Sequence, residues 1–293
     1  MARSTPLTPV NHDRDSAGMT YVYPVVSRRA GGVSVGINLS PNNACNWACV
    51  YCQVPELRRG TTPAIDLAQL EAELRAMLAD ILHGDFMQTR VPEGARRLND
   101  IALSGNGEPT SARAFPQVIE LIGRVMRDFY LIGSAGNPEK KTAKLVLITN
   151  GSLADRPRVQ DGLKKMAALN GEIWFKFDSA TANGMRSINQ TRISPNTQFE
   201  RLAVAARLCA TWLQTCVFAL DGTPPSEPEQ AAYLDVVRRI RQESIPVQGV
   251  LLYGLARPSM QPQANRLSAL PIEWLNGFAA KIRAAGLPVK VSL

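Results

Sequence analysis

The stretch VSVGINLSPNNACNWACVYCQ, residues 33–53, joins an apolar run to a loop that carries three cysteines. The apolar run 33–39 is closed by Pro41, and this pattern predicts a strand that leads into a loop. Cys45, Cys49 and Cys52 all lie in the predicted loop. A loop can fold three sulfur atoms around one metal centre, whereas a single strand or a straight helix would spread them apart.

The number of cysteines limits the kind of metal centre. Four cysteines usually saturate a [4Fe–4S] cluster, and no fourth cysteine lies close to this loop. A cluster held by three thiolates would leave one iron open, and an open coordination site is typical of catalytic metal centres. A structural zinc loop and three buried thiols are the alternatives. Zinc loops usually include a second Cys or His pair, but His12 and His83 do not have ligand spacing.

The pattern Cys-x3-Cys-x2-Cys, with Tyr51 directly before the last cysteine, resembles the signature of radical S-adenosyl-L-methionine (SAM) enzymes. The resemblance implies that Cys45, Cys49 and Cys52 bind a [4Fe–4S] cluster whose open iron chelates the amino and carboxylate groups of SAM. It also implies that an external flavodoxin- or ferredoxin-like reductant supplies one electron. SAM is then cleaved to a 5′-deoxyadenosyl radical, which removes a hydrogen atom from a substrate. Tyr51 is expected near the adenine of SAM.

A second motif, GNGEPT at residues 105–110, directly follows the next predicted strand. Its two glycines would let the backbone approach a ligand closely, and a carboxylate beside them could hold an ammonium group. Gly105, Gly107 and Glu108 resemble the family element that binds the amino group of SAM. An ordinary glycine turn is the structural alternative.

Other candidate site residues lie at the ends of later predicted strands. Asn150 could hydrogen-bond SAM or substrate, although Asn-Gly is also a strong turn former. Lys176 and Asp178 alternate with apolar residues and therefore share one face of their strand. Because buried charges must be paired, they form either a mutual ion pair or, as the resemblance suggests, a contact with SAM or substrate. Cys216 is a candidate substrate-radical partner, but burial as a structural thiol explains both it and Cys209.

Strands and helices alternate along the chain. Short apolar runs predict the strands, and apolar residues spaced three or four apart predict the helices. The predicted strands are residues 33–39, 100–103, 145–148, 173–177, 214–220 and 247–253, and the predicted helices are residues 66–83, 115–129, 158–169, 197–209, 229–243 and 272–285. This order predicts an α/β fold, a partial (β/α)6 TIM-like barrel with an open parallel sheet and outer helices. The polar clusters follow the carboxyl ends of the strands, where such barrels carry their active sites. A doubly wound sheet is the structural alternative.

The chain is interpreted as an N-terminal arm, residues 1–32, and one core domain with a C-terminal extension, residues 33–293. Pro24 argues against a central strand in the apolar segment around it. Residues 289–293 predict a further strand at the edge of the sheet. The predicted loops are residues 85–97, 133–141 and 185–195.

Composition sets broader limits. The net charge of +8 permits a nucleic-acid partner, but the basic residues form no long run and are equally explained as solvated surface. No apolar run approaches the roughly 20 residues that a membrane span needs, and the N-terminus contains no apolar signal core. Five cysteines, mostly clustered, are not typical of a disulfide framework. These features predict a cytoplasmic protein with no membrane association.

The sequences LITNGSL (residues 147–153) and SINQTR (residues 187–192), with Arg257–Pro258, extend the resemblance over most of residues 33–260. Together they are most similar to the sub-family that includes the wyosine-forming tRNA enzymes. Those enzymes bind a second cluster through additional N-terminal cysteines, whereas no cysteine precedes Cys45 here.

The resemblance therefore implies a radical SAM oxidoreductase or transferase whose substrate is open. Modification of RNA or tRNA, modification of a peptide and activation of a glycyl-radical enzyme are the candidate reactions. A non-catalytic iron–sulfur protein is the alternative from another class, and it leaves the motif at residues 105–110 unexplained.

Overall fold

The centre of the protein is an eight-stranded sheet. The computed structural model describes residue 7 and residues 17–27, 31–132 and 143–292. The strands of the sheet are β1 (Val22–Ser27), β2 (Gly32–Ile37), β3 (Leu98–Leu103), β4 (Lys144–Thr149), β5 (Glu172–Lys176), β6 (Ala210–Cys216), β7 (Val247–Tyr253) and β8 (Val289–Ser292). They lie side by side in chain order. All neighbours from β2 to β8 are parallel, and β1 is antiparallel to β2.

This strand order decides between the two predicted architectures. A doubly wound sheet reverses its strand order at a switch point, whereas here the order never reverses. The sheet curls into a half-barrel, so the prediction of a partial TIM-like barrel is confirmed. β8 extends one edge of the sheet, as the sequence predicted.

Helices cover the convex face of the sheet. Those within the described residues are α1 (Leu67–His83), α2 (Phe86–Arg90), α3 (Phe115–Asp128), α4 (Pro157–Ala168), α5 (Ala182–Ile188), α6 (Pro195–Leu208), α7 (Glu227–Gln242) and α8 (Ile272–Ala284). α3 packs against α1 and α4, and α4 packs against α6. Fully buried side chains from helices (Leu74, Ile119, Leu202) and from strands (Ile101, Phe175) belong to one apolar core. No helix in this part of the chain is both long and apolar enough to cross a membrane.

Polar side chains define where several helices begin. Asp66 accepts a hydrogen bond from the backbone N–H of Gln69 at the start of α1. Ser194 and Ser226 cap α6 and α7 in the same way. Each cap satisfies a backbone donor that the first helical turn leaves without a partner.

β5 shows how the two faces of the sheet differ. Ile173 and Phe175 are completely buried in the core beneath the helices. Trp174 and Lys176 point to the opposite, concave face and line a cavity there. The two-residue period of a strand therefore separates an apolar outer face from a polar interior.

The N-terminal segment adds an edge to the sheet. β1 lies within residues 1–32, which the sequence assigned to an arm, and it contains Pro24. A proline is tolerated in an edge strand because that strand leaves one row of N–H groups unpaired. Apart from residue 7 and residues 17–27, the arm up to residue 30 lies outside the described residues. The division of the chain at residue 33 stays a prediction.

Two predicted loops contain helices. Residues 85–97 include α2 and a short 3-10 helix, Glu93–Ala95. Phe86 at the start of α2 is buried in the core and holds this single turn in place. α5 occupies the start of the predicted loop at residues 185–195. Both helices are too short to show a helical periodicity in the sequence. The third predicted loop, residues 133–141, lies outside the described residues.

The fifth predicted strand was placed four residues too late. β6 spans Ala210–Cys216 and not residues 214–220. Cys209 alone separates α6 from β6, a link shorter than the usual two to six residues. Thr211 and Trp212 already pair with β5, so the strand begins as soon as the helix ends.

Candidate functional site

The three clustered cysteines lie in the loop after β2. Cys45, Cys49 and Cys52 are half-buried and line one cavity of about 320 Å³ on the concave side of the sheet. The backbone of Cys45 pairs with Arg59 in a two-residue ladder that braces the loop. Almost all of the predicted site residues line this cavity: Cys45, Cys49, Tyr51, Cys52, Gly105, Gly107, Glu108, Asn150, Lys176 and Cys216.

The glycines after β3 allow close packing against the cysteine loop. Gly105 has a φ of +127°, and a Cβ atom there would lie 2.7 Å from Asn38 Oδ1. A Cβ atom on Gly107 would lie 2.1 Å from the carbonyl oxygen of Ala44. Both glycines therefore allow close approach to the segment that carries Cys45. Their predicted approach to a ligand stays a prediction.

Glu108 joins the loops that follow β3 and β4. Its carboxylate accepts hydrogen bonds from the backbone N–H and the hydroxyl of Thr110, at 3.0 and 2.6 Å. It also accepts from the Thr149 hydroxyl and the Asn150 backbone N–H, both at 2.7 Å. Burial raises the pKa of Glu108, and these donors partly oppose the rise. Its predicted contact with the SAM amino group would use a carboxylate that already accepts four hydrogen bonds.

Asn150 connects the loop after β4 to the cysteine loop. Its side-chain amide donates to Asn46 Oδ1 at 2.8 Å, and Asn46 donates to the hydroxyl of Ser152 at 2.7 Å. Asn46 lies between Cys45 and Cys49. The turn that follows Asn150 includes Gly151, with a φ of +70°. Asn150 therefore forms a turn and borders the cavity at once.

Asn38 is a residue of the site that the sequence analysis missed. Its side-chain oxygen accepts from the backbone N–H groups of Ser40, at 3.0 Å, and Asn106, at 3.1 Å. It thereby fixes the start of the cysteine loop to the loop after β3. An Asn one residue beyond a strand and two before a Ser is typical of an Asx turn, which is the signal that the sequence offered.

Lys176 and Asp178 are linked through Tyr51. The Lys176 ammonium donates to the hydroxyls of Tyr51 and Tyr253, both at 3.1 Å. The Tyr51 hydroxyl in turn donates to Asp178 Oδ2 at 2.6 Å. Burial lowers the pKa of Lys176, but the opposing effects of Tyr253 and Asp178 leave it raised, so the ammonium stays charged. The sequence left a mutual Lys176–Asp178 ion pair as one alternative. In the structure, the hydroxyl of Tyr51 lies between the two side chains and links them.

Asp178 lies just beyond the main cavity. It borders a smaller cavity of about 240 Å³ that it shares with Cys216. Its carboxylate accepts from the backbone N–H of Cys216 at 2.9 Å and from the side chain of Asn189 at 2.7 Å. Asp178 thus supports Tyr51 from outside the cavity, and it is the one predicted site residue that does not line the cavity.

Asn189 is a second residue that the site analysis of the sequence missed. It is 1% exposed, and its amide donates both to Asp178 and to the sulfur of Cys49, the latter at 3.3 Å. The neighbouring Ile188 carbonyl accepts from the backbone N–H of Val50 at 2.9 Å. The segment SINQTR, noted only for its resemblance, therefore holds the cysteine loop against the sheet.

Known relatives in sequence are distant. No family model matches the chain. A UPF0026 protein of Helicobacter pylori (strain J99) is 29% identical over 143 residues, which make up 48% of this chain and 38% of that protein. The chain therefore matches less than half the length of this relative.

Solved structures share the architecture over most of the chain. A radical SAM methyltransferase from Sphaerobacter thermophilus aligns with a TM-score of 0.58 at 16% identity, over 98% of this chain and 77% of that chain. The chain shares the fold of this structure. TYW1, a wyosine synthase solved with a lysine–pyruvate adduct bound, aligns with a TM-score of 0.53 at 15% identity, over 86% of this chain and 73% of that chain. The predicted resemblance is confirmed at the level of this fold.

The three cysteines in the loop after β2 fit an iron–sulfur cluster. The donor set is three thiols, which suit iron–sulfur centres. Among the described residues, no three His, Cys, Asp or Glu side chains come together around a single ion position. Cysteines that hold a cluster bind different iron atoms and need not meet at one point. Three thiols in one loop are therefore a donor set that suits a cluster.

Two of the three thiols, those of Cys45 and Cys49, are protonated in the absence of metal. Burial raises the pKa of Cys45 and of Cys49 to about 12. For Cys49, the charge of Asp178 raises the pKa further, while Lys176 and the Asn189 amide lower it. Metal binding must therefore displace protons from these thiols, as it does at other thiolate sites.

Proposed function

We propose that the protein is a radical SAM enzyme in which Cys45, Cys49 and Cys52 hold a [4Fe–4S] cluster. The observation that carries the proposal is the convergence of three thiols and the loops after β3 and β4 on one cavity of a radical SAM fold. When bound, the cluster would supply the electron that cleaves SAM to methionine and a 5′-deoxyadenosyl radical, which removes hydrogen from a substrate.

The residues around the cavity would position SAM. The Lys176 ammonium gives the cavity a fixed positive charge, suited to a carboxylate of SAM or substrate. Tyr51 is held by Lys176 and Asp178 and offers an aromatic ring beside the thiols. Gly105 and Gly107 keep the backbone after β3 close to the cysteine loop, and Glu108 joins the loops after β3 and β4.

Apolar side chains would limit water near the thiols. Val50, Tyr51, Cys216 and Phe218 form a small buried cluster against which Cys49 packs. Removing water strengthens electrostatic interactions and protects a reactive intermediate from side reactions. Cys216 borders the same cavity, where it would act as a substrate-radical partner.

The partners follow from this chemistry. An external flavodoxin- or ferredoxin-like protein would deliver the electron. The cytoplasm is the expected compartment because it keeps thiols reduced. The substrate that we propose belongs to one of three classes: RNA or tRNA, a peptide, or a glycyl-radical enzyme. The net charge of +8 favours RNA only through non-specific attraction.

The test is SAM cleavage by anaerobically reconstituted protein. With dithionite as reductant, we expect 5′-deoxyadenosine and methionine to form, as measured by liquid chromatography and mass spectrometry. Cys49→Ala should abolish both products. The matched control is Cys209→Ala, which alters a buried thiol whose sulfur contacts the Gly171 carbonyl away from the cavity. Cleavage of SAM by the Cys49→Ala protein would contradict the proposal.

A further inference from the structure

The cavity below the cysteine loop continues into the interior of the half-barrel. Its wall there is formed by residues that precede the ends of their strands, among them Asp100 on β3, Trp174 on β5 and Gln214 on β6. Asp100 is 6% exposed and Gln214 is 2% exposed. This deep end has no part in holding the cysteines, and its polar groups call for a separate explanation.

Gln214 presents a hydrogen-bond acceptor without a donor. Its side-chain oxygen is buried and has no hydrogen-bond partner among the described residues. Lys176 is its neighbour in register on β5, but the Lys176 ammonium donates to the hydroxyls of Tyr51 and Tyr253. Leaving a buried acceptor without a donor from the protein is unfavourable, and an N–H group of a ligand in the cavity would satisfy it.

Asp100 presents a buried carboxylate that no cation of the described chain pairs with. Its side chain accepts a hydrogen bond from the hydroxyl of Ser34. Lys144, its neighbour in register on β4, forms its ion pair with Glu172 at 2.9 Å. An ionised carboxylate in such a position lacks the partner that buried charges normally have.

An aromatic ring borders the same cavity, and with Asp100 it also lines a second cavity. Trp174 is held by a hydrogen bond from its indole N–H to Glu172 at 2.9 Å, and its ring borders the cavity with Asp100 and Gln214. The face of an indole attracts cations more strongly than other aromatic side chains do. Two acceptors and an indole ring together suit a ligand group that is positively charged and rich in N–H donors.

We propose that this deep end is a substrate subsite that binds an ammonium or guanidinium group. The inference rests on the proposed function, since the subsite would hold the molecule from which hydrogen is removed. The Lys176 ammonium lies at the end of β5 and donates to the hydroxyls of Tyr51 and Tyr253, whereas Asp100 lies in the first half of β3. The free amine of a small molecule and the side chain of a Lys or Arg residue share this chemistry.

The first test uses agmatine, which carries both groups, and glutarate as an anionic probe of similar length. Thermal unfolding is followed on the full-length chain, as purified and after anaerobic reconstitution, at constant ionic strength. Agmatine should raise the unfolding midpoint and glutarate should not. The increase should disappear in Asp100→Asn and Gln214→Leu and persist in the control Glu273→Gln, which changes an exposed carboxylate on α8.

A blocked arginine, N-acetylarginine amide, separates the two sources of the cation. A shift with agmatine alone would indicate a small-molecule substrate, and a shift with the blocked arginine as well would indicate a peptide side chain. An equal response to glutarate would overturn the subsite. So would an agmatine effect that survives both substitutions.

A second measurement needs no ligand. If the side-chain oxygen of Gln214 gains a donor only when substrate binds, Gln214→Leu should raise the unfolding midpoint of the free protein by roughly 2–4 °C. The adjacent Thr215→Val should lower the midpoint, because the Thr215 hydroxyl donates to the Phe177 carbonyl at 2.9 Å and contacts the Tyr233 hydroxyl at 2.6 Å. A Gln214→Leu protein destabilised as much as Thr215→Val would refute the inference.

Neither measurement depends on SAM cleavage. A protein that cleaves SAM but ignores agmatine would retain its proposed function and lose this subsite. A protein that is stabilised by agmatine but never cleaves SAM would retain the cation-binding site and lose the proposed function.

Discussion

The two faces of the central sheet differ in polarity although the same strands form both. On the outer face of β5, Ile173 and Phe175 are completely buried among apolar side chains. On the inner face of the same strand, Trp174 and Lys176 border a polar cavity. The outer face stabilises the fold, whereas the inner face retains charges and acceptors that the free protein only partly satisfies. Such unfavourable positions are expected at functional sites.

The largest effect on stability is expected on the outer face. Phe175→Ala removes a completely buried ring from the core, and such truncations destabilise proteins by about 3–5 kcal/mol. Urea unfolding of the variant against wild type measures this loss. The exposed substitution Glu273→Gln should change the free energy of unfolding by less than about 0.5 kcal/mol. A loss for Phe175→Ala below about 1 kcal/mol would contradict the assignment of the core.

A pH-dependent effect is expected on the inner face. Burial raises the pKa of Asp100 from 3.8 to about 6, with a further rise from Glu172, while the Ser34 hydrogen bond and Lys144 oppose it. The folded protein therefore binds its proton more tightly than the unfolded chain does. The stability that this provides is complete below about pH 4 and is lost as the pH rises through 6. The loss amounts to roughly 3 kcal/mol.

Asp100→Asn should remove this dependence. Urea unfolding at pH 5 and pH 8 would show the variant gaining stability relative to wild type as the pH rises. Glu93→Gln, which changes an exposed carboxylate, is the control. Parallel pH profiles for wild type and Asp100→Asn would contradict the burial of an unpaired carboxylate on the inner face.

Glu108 distinguishes a role in the fold from a role in SAM binding. Glu108→Gln replaces one acceptor oxygen by a donor that faces the Asn150 backbone N–H. Because hydrogen bonds to charged groups contribute about 1.5–3 kcal/mol, we expect a destabilisation of about 2 kcal/mol in urea unfolding. The exposed Glu120→Gln should have little effect. Weaker SAM binding by calorimetry, with stability unchanged, would instead support a direct contact to the SAM amino group.

The smallest effect concerns the contact between Asn189 and Cys49. Hydrogen bonds to cluster sulfurs help to set the reduction potential of iron–sulfur clusters. Asn189→Leu removes the donor to Cys49 and should lower the midpoint potential in a redox titration followed by electron paramagnetic resonance. Gln190→Ala, an exposed neighbour whose amide donates to the Ser187 carbonyl, is the matched control. An unchanged potential in Asn189→Leu would show that this contact does not tune the cluster.

Local patterns predicted the outer face and the cysteine loop well. The buried residues of β5 and α1 recur with the periods of strands and helices, and these periods depend only on neighbours in sequence. The predicted site residues follow strand ends, and parallel strands bring those ends together. This is why Gly105, Asn150 and Lys176 meet at one cavity.

Contacts between distant residues could not be predicted in this way. Asn38 binds the backbone of Asn106, 68 residues away, and Asn189 binds Cys49, 140 residues away. No periodic pattern in the sequence indicates either asparagine, because the role of each depends on a loop that is distant in sequence. The start of β6 was misplaced for a related reason, since its register depends on β5 and not on its own sequence.

Electron paramagnetic resonance of the reduced, anaerobically reconstituted protein, recorded with and without SAM, tests the central claim most directly. We expect the signal of a reduced [4Fe–4S] cluster that shifts when SAM is added, because SAM would bind the iron that Cys45, Cys49 and Cys52 leave open. A cluster whose signal ignores SAM, or zinc bound in its place, would contradict it.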